Sequence, residues 1–284
     1  IRLNRPRALN AMTLDMVRAM DRVLQDWAAD SAVQAVVLYG AGERGLCAGG
    51  DIRAIASGTD EQAMEFWTAE YALNARVAAF PKPYVAVMDG VVMGGGIGVS
   101  GHAGIRIATE RTTAAMPEVR IGFSPDCAGS LLLSGAPGEL GTHLALTAGS
   151  MTGADAVLCG FADSYVPSGS LADLLAALES AGSSAADVVA AFAVEPPAAP
   201  LAAEQEWIDE CYTGGDVAAI LQNLERHPAS AAGEAARAIR AMAPFSLGVA
   251  LAALRAAARE PDLGTVLQRD LVMAERMIGR PDFR

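Results

Sequence analysis

Two hydrophobic periods alternate along the first 167 residues. Residues 33–39, Tyr84–Met88 and Ile105–Ala108 are strand-length segments dominated by apolar side chains, the mark of buried strands. Ile1-Arg-Leu-Asn-Arg-Pro6 reads as a strand end running into a loop, so residues are expected ahead of it, and Ala114-Ala-Met116 reads as a further short strand before Pro117. Between these runs the spacing is helical. Leu14, Val17, Met20, Leu24 and Trp27 follow the N-cap candidate Thr13, and Met64, Trp67, Tyr71 and Val77 form one stripe across 59–80. Strands alternating with helices predict an α/β layer structure with parallel pairing. Beyond Leu171 the pattern is helical and alanine-rich, with helices expected at 216–225, 231–242 and 267–278. The breaker cluster Glu195-Pro-Pro-Ala-Ala-Pro200 suggests a linker. The organisation expected is a core over 1–180, a linker over 181–200 and a helical region over 201–284.

Two apolar runs lead into glycine loops. Residues 33–39 precede Cys47-Ala-Gly-Gly-Asp51, and Tyr84–Met88 precedes Asp89-Gly-Val-Val-Met-Gly-Gly-Gly-Ile-Gly98. Loops without side chains let the backbone approach a ligand closely, and two of them can hold one anionic oxygen between main-chain N–H groups, as an oxyanion hole requires. A second reading of Gly96-Ile-Gly98-Val-Ser-Gly101 is the dinucleotide pattern G-x-G-x-x-G, with Glu118 20 residues after Gly98. That reading leaves Gly94 and Gly95 unexplained and puts the motif after at least two strands rather than one. A structural tight turn is the third. Ser100 fails as a nucleophile elbow because His102 stands where a glycine is needed.

Composition narrows the partners. With 52% hydrophobic and 19% charged residues the chain packs a core rather than staying disordered. No apolar stretch is long enough to span a bilayer, since 85–99 is interrupted by Asp89 and glycines. A net charge of -12 argues against nucleic acid and anionic membrane, so an anionic ligand must be met by a few arginines and backbone donors. Cys47, Cys127, Cys159 and Cys211 have neither metal-ligand spacing nor the density of a disulfide scaffold, which points to a reducing, cytoplasmic compartment and no metal. His102, His143 and His227 are isolated and read as packing or surface residues.

Taken in order, Leu3-Asn-Arg-Pro6, Ala8-Leu-Asn-Ala11, Cys47-Ala-Gly-Gly-Asp51, Asp89-Gly90 with Gly94-Gly-Gly96, and Met116-Pro-Glu118 before Ile121-Gly122 resemble the crotonase (enoyl-CoA hydratase/isomerase) superfamily over essentially the whole chain. The resemblance implies a spiral of β-β-α units with a helical extension, and acyl-coenzyme A thioesters as substrates with no permanently bound cofactor. It also implies an oxyanion hole built from the N–H groups of Ala48 and Gly95, flanked by Gly49, Gly50, Asp51, Arg53, Gly94 and Gly96, with coenzyme A lying near Arg5 and Asn10. Hydratases of the superfamily use two glutamates. Here Glu118 supplies one, but the other position is Gly98, which disfavours plain hydration. Asp126, eight residues after Glu118, and Glu70 in Ala69-Glu-Tyr-Ala-Leu-Asn74 instead resemble the 3-hydroxyisobutyryl-CoA hydrolase branch.

That branch implies thioester hydrolysis in valine breakdown, with Glu118 and Asp126 catalytic and Glu70 contacting substrate. Enoyl-CoA hydration or isomerisation with Glu118 alone, and non-catalytic acyl-CoA binding, stand as alternatives. Two departures touch the acyl pocket: Asp126-Cys-Ala-Gly129 replaces the usual Asp-x-Gly-Gly, and Leu46 replaces a phenylalanine. Relatives form trimers, hexamers or dimers, so a homo-oligomer is expected, with the long tail able to fold over its own subunit.

Overall fold

A computed structural model describes residues 1–180 and 184–283. Nine strands appear in chain order: β1 (Arg2–Leu3), β2 (Val36–Gly40), β3 (Gly45–Cys47), β4 (Tyr84–Met88), β5 (Val91–Met93), β6 (Ile105–Ala108), β7 (Thr113–Ala115), β8 (Ser150–Thr152) and β9 (Ser164–Tyr165). They form two sheets, ordered β1-β2-β4-β6-β9 and β3-β5-β7-β8. Every pairing is parallel except β7 with β8. Successive pairs β2/β3, β4/β5 and β6/β7 each send one strand to either sheet, with helices between the turns. This is the expected β-β-α spiral.

The central strand β4 is buried along its whole length, which explains its unbroken apolar run. Helices Leu171–Glu179 and Ala185–Phe192 cover one face of the five-stranded sheet, where Leu174 and Val189 pack on Val85, Val87 and Ile107. The second core cluster runs from Leu3 to Ile278, so the C-terminal helices share a core with the strands. The tail therefore packs on its own chain.

Local expectations hold best where the period is strong. Thr13 caps Leu14–Ala29 through the Met16 N–H, and Thr59 caps Asp60–Ala78 with Gln62 answering in a capping box. The tail helices run Val217–Arg226, Ser230–Arg240 and Leu263–Met277, within a few residues of the spans expected. Three readings change. The strand expected at 33–39 begins at Val36, because the preceding residues form a turn closed by Val33 N–H on Asp30 O. Of the segment expected as a linker, 181–183 lie outside the described residues, Ala185–Phe192 is helical and packed on the sheet, and the proline-rich stretch then leads to helix Pro200–Cys211. Lastly, β5 lies in what read as glycine loop, and β3 runs into the start of the other. Their few apolar residues stand among glycines and show no period of their own, and only pairing across the chain makes them strands. No single helix among the described residues is long and apolar enough to cross a membrane.

Candidate active site

The two glycine loops meet where β3 and β5 end side by side. The first is shaped by the N-terminal motif. Asn10 is buried with left-handed backbone, and its amide donates to Ala41 O at 3.0 Å and Gly45 O at 2.9 Å. Met12 N–H then donates to Gly49 O, and Asp51 N–H returns to Met12 O, both at 2.9 Å. Asp51 caps helix Ile52–Ser57 and pairs with Arg5 at 2.9 Å. In the second loop Gly94 takes φ +51, and helix Gly95–Ser100 starts immediately after it. Gly49 sits at φ +102, where a side chain is strained, and a Cβ there would also crowd Met93 O at 3.2 Å, so glycine suits the point where the loops touch.

This arrangement corrects one expected donor. The Ala48 N–H already donates to Leu9 O at 3.0 Å, so it is not free to meet a ligand. Among the described residues, Gly50 N–H has no intramolecular acceptor, and Gly95 N–H is an orphan of a helix start. The pair of free amides is Gly50 and Gly95.

Beside them lies a cleft of about 150 Å³ that brings together Ala48, Gly49, Gly50, Glu70, Gly94, Gly95, Glu118 and Asp126. Asp51 and Gly96 sit behind it. The first is engaged with Arg5, and a Cβ on Gly96 would run into Cys47 O. Arg53 is exposed and does not line the cleft. The far wall is aromatic: Trp67 stacks on Phe123 with centroids 4.9 Å apart, and Phe283 leans on both. Sequence reasoning missed this wall because Trp67 belongs to an ordinary core stripe, while Phe123 and Phe283 are far apart in the chain.

The acids are buried almost without counter-charge. Glu118 opens the short helical turn Glu118–Ile121. Its Oε2 lacks any partner among the described residues, and a Cβ on Gly94 would stand 2.9 Å from its Oε1. Glu70 projects from Asp60–Ala78 against Gly95, where an added Cβ would collide with its unpartnered Oε1. Asp126 accepts a 2.7 Å hydrogen bond from the Tyr71 hydroxyl. Burial, reinforced by the charge of Asp126, pushes Glu70 and Glu118 well above the ordinary carboxylate range. Burial raises Asp126 itself to about 6, against the opposing pull of Tyr71.

Donor atoms of Glu70, Asp126 and Cys127 lie within 4.8 Å of one another, the spacing of a three-ligand cation site. Burial keeps the Cys127 thiol protonated, which makes it a poor ligand, and Tyr71 already occupies Asp126. Cys127 backs the acids and does not line the cleft. Its carbonyl contacts His102 Nε2 at 2.7 Å, while His143 pairs with the Tyr212 hydroxyl at 2.8 Å, so both histidines serve packing.

Position 98 separates possible chemistries. A Cβ there would stand 2.8 Å from both Asn74 Nδ2 and Cys127 Cβ, leaving no room for a carboxylate side chain.

The family described as Enoyl-CoA hydratase/isomerase matches residues 1–284. The chain belongs to the enoyl-CoA hydratase/isomerase family. It is therefore an enzyme of the crotonase fold. Among family members, a protein of Xenopus laevis named "3-hydroxyisobutyryl-CoA hydrolase, mitochondrial" is 36% identical over 295 residues, covering 100% of this chain and 76% of its own. The Homo sapiens protein of the same name is 37% identical over 263 residues, covering 88% of this chain and 68% of its own. A solved family structure described as a carnitinyl-CoA dehydratase from Mycobacterium thermoresistibile superposes with a TM-score of 0.96 at 47% identity, covering 99% of this chain and 83% of that one. An enoyl-CoA hydratase from Rhodobacter sphaeroides superposes with a TM-score of 0.89 at 38% identity and the same coverage.

Proposed function

We propose that this enzyme hydrolyses a short 3-hydroxyacyl-CoA thioester, with 3-hydroxyisobutyryl-CoA the leading substrate. One observation carries the reading. Asn74 and Cys127 close the space at Gly98, where a hydratase places its second glutamate, while Asp126 joins Glu118 on the cleft. The names of the Xenopus and human relatives point the same way.

In this reading the thioester carbonyl oxygen accepts hydrogen bonds from Gly50 and Gly95 N–H, which strengthen as negative charge develops on it. Ionised Glu118 takes a proton from water as the water oxygen bonds to the carbonyl carbon. The tetrahedral intermediate then breaks its C–S bond, and the thiolate of coenzyme A recovers the proton from Glu118. The alternative is direct attack by Glu118 on the thioester carbon, which breaks the C–S bond, releases coenzyme A and leaves a mixed anhydride that water opens at the Glu118 carboxyl carbon. Single turnover in ¹⁸O-water separates the two: only the anhydride route returns an unlabelled acid from the first turnover. Asp126 binds the acyl hydroxyl at the same end, beside Glu70. The small aromatic-walled cleft suits a short branched acyl group.

A second reading comes from the dehydratase and hydratase relatives, with Glu118 moving the proton in water elimination or addition. Purified protein offered 3-hydroxyisobutyryl-CoA and crotonyl-CoA decides between them. Thiol release from the first, without loss of enoyl absorbance from the second, is the expected result. Enoyl loss without thiol release transfers the chain to the second reading, and binding without turnover makes it a carrier.

A further inference from the structure

The turn that presents Asp126 is built in a costly way. Cys127 and Ala128 both adopt left-handed backbone, with φ +53 and +54, although neither is glycine. Such a conformation persists only where surrounding contacts over-determine it. Asp126 O accepts Gly129 N–H at 2.6 Å, closing the turn, and three tethers hold it from outside. Tyr71 OH holds the Asp126 carboxylate, His102 holds Cys127 O, and Asp270 Oδ2 accepts Ala128 N–H at 2.7 Å.

The third tether is unlike the others. Asp270 is separated from Ala128 by 142 positions and lies on helix Leu263–Met277, which packs on both Asp60–Ala78 and Gly129–Ser134. It is wholly buried, and its Oδ1 has no partner among the described residues. Helix packing alone gives no reason to bury an acid there, since an apolar residue would avoid the cost of an unpaired oxygen.

We infer that Asp270 is a positioning residue: it pins the Ala128 amide so that the strained turn holds Asp126 at the acyl end of the cleft. The helical C-terminal region is thereby part of the device that shapes the site. The kinetic side of this inference rests on the proposed hydrolysis; the structural side does not.

Asp270→Ala and Asp270→Asn in the full chain test both sides. Asparagine keeps an oxygen for Ala128 N–H, whereas alanine removes it. With Asp270→Ala, kcat for thiol release is expected to fall about 10–10²-fold, the scale of a small misplacement, with KM nearly unchanged. Amide exchange over 126–129 should accelerate in the same variant, and Asp270→Asn should restore both readouts. Wild-type kcat in Asp270→Ala, even with a lowered melting temperature, overturns the inference by making the acid merely structural. Equal loss in both variants overturns it as well.

If wild-type protein releases no thiol, the proposed hydrolysis fails, and exchange decides alone: unchanged protection of the turn in Asp270→Ala refutes the tether. Should Asp270→Ala not fold, Ala128→Gly added to it relieves the left-handed strain while leaving the tether absent, and the same comparisons apply.

Discussion

Asp155 and Glu118 are both buried acids at the start of short helical segments, and their oxygens are treated in opposite ways. Asp155 is saturated: Oδ2 accepts from Thr152 N–H and Thr152 Oγ1 at 3.0 and 2.7 Å, and Oδ1 accepts from Leu201 N–H at 2.9 Å. It fastens the start of helix Pro200–Cys211 to the α/β core. Glu118 keeps one oxygen without a partner among the described residues, beside a cleft and two free amides. A satisfied buried acid anchors structure. An unsatisfied one is retained at a cost to stability, and its raised proton affinity is available for chemistry.

Variants can break this contrast. The largest expected effect belongs to Glu118→Gln, which should lower kcat about 10²–10⁴-fold while leaving the melting temperature unchanged or higher. A lowered melting temperature with retained thiol release would make Glu118 another anchor. Next comes Gly95→Ala, whose Cβ drives into Glu70 Oε1 and crowds a free amide. A loss of about 10²–10³-fold in turnover is expected, and near-wild-type rates would remove Gly95 from the oxyanion hole.

Tyr71→Phe should act several-fold and mainly through pH. The Tyr71 hydroxyl favours ionised Asp126, so its loss raises a carboxyl already at about 6 and moves the acid limb of the rate profile to higher pH. The stability linkage has a definite sign. Asp126 holds its proton more tightly folded than unfolded, so its contribution is complete below pH 3.8 and is lost as pH rises through about 6. Melting curves from pH 3.5 to 7 should show Asp126→Asn gaining on wild type across that window, and a constant difference would contradict it. The smallest effect on activity is expected from Asp155→Ala, which strands donors and costs about 1–3 kcal/mol of stability with kcat intact in the folded fraction.

Much of the fold was legible because its long elements repeat a period. The helices Leu14–Ala29 and Asp60–Ala78 and the strand β4 announce themselves in the order of apolar residues. The glycine loops stood out by themselves, whereas Glu118, Asp126 and Glu70 were singled out by the resemblance of the ordered motifs around them, since each acid alone reads as a cap, a turn or a solvated face. The aromatic wall, Tyr71 as partner of Asp126, and Asp270 were not, since each reads locally as an ordinary member of a helix or loop.

The sequence by itself determined the alternation of layers, the placing of the glycine loops and the identity of the acids, because these depend on neighbours in the chain. Only the tertiary structure decided which amides are free. Ala48 and Gly50 differ in nothing the sequence can express about hydrogen bonding, yet Leu9 O claims the first and leaves the second open. Likewise, only folding brings Asp270 to Ala128. A donor's availability depends on every acceptor that the folded chain carries past it, and those acceptors come from distant parts of the sequence.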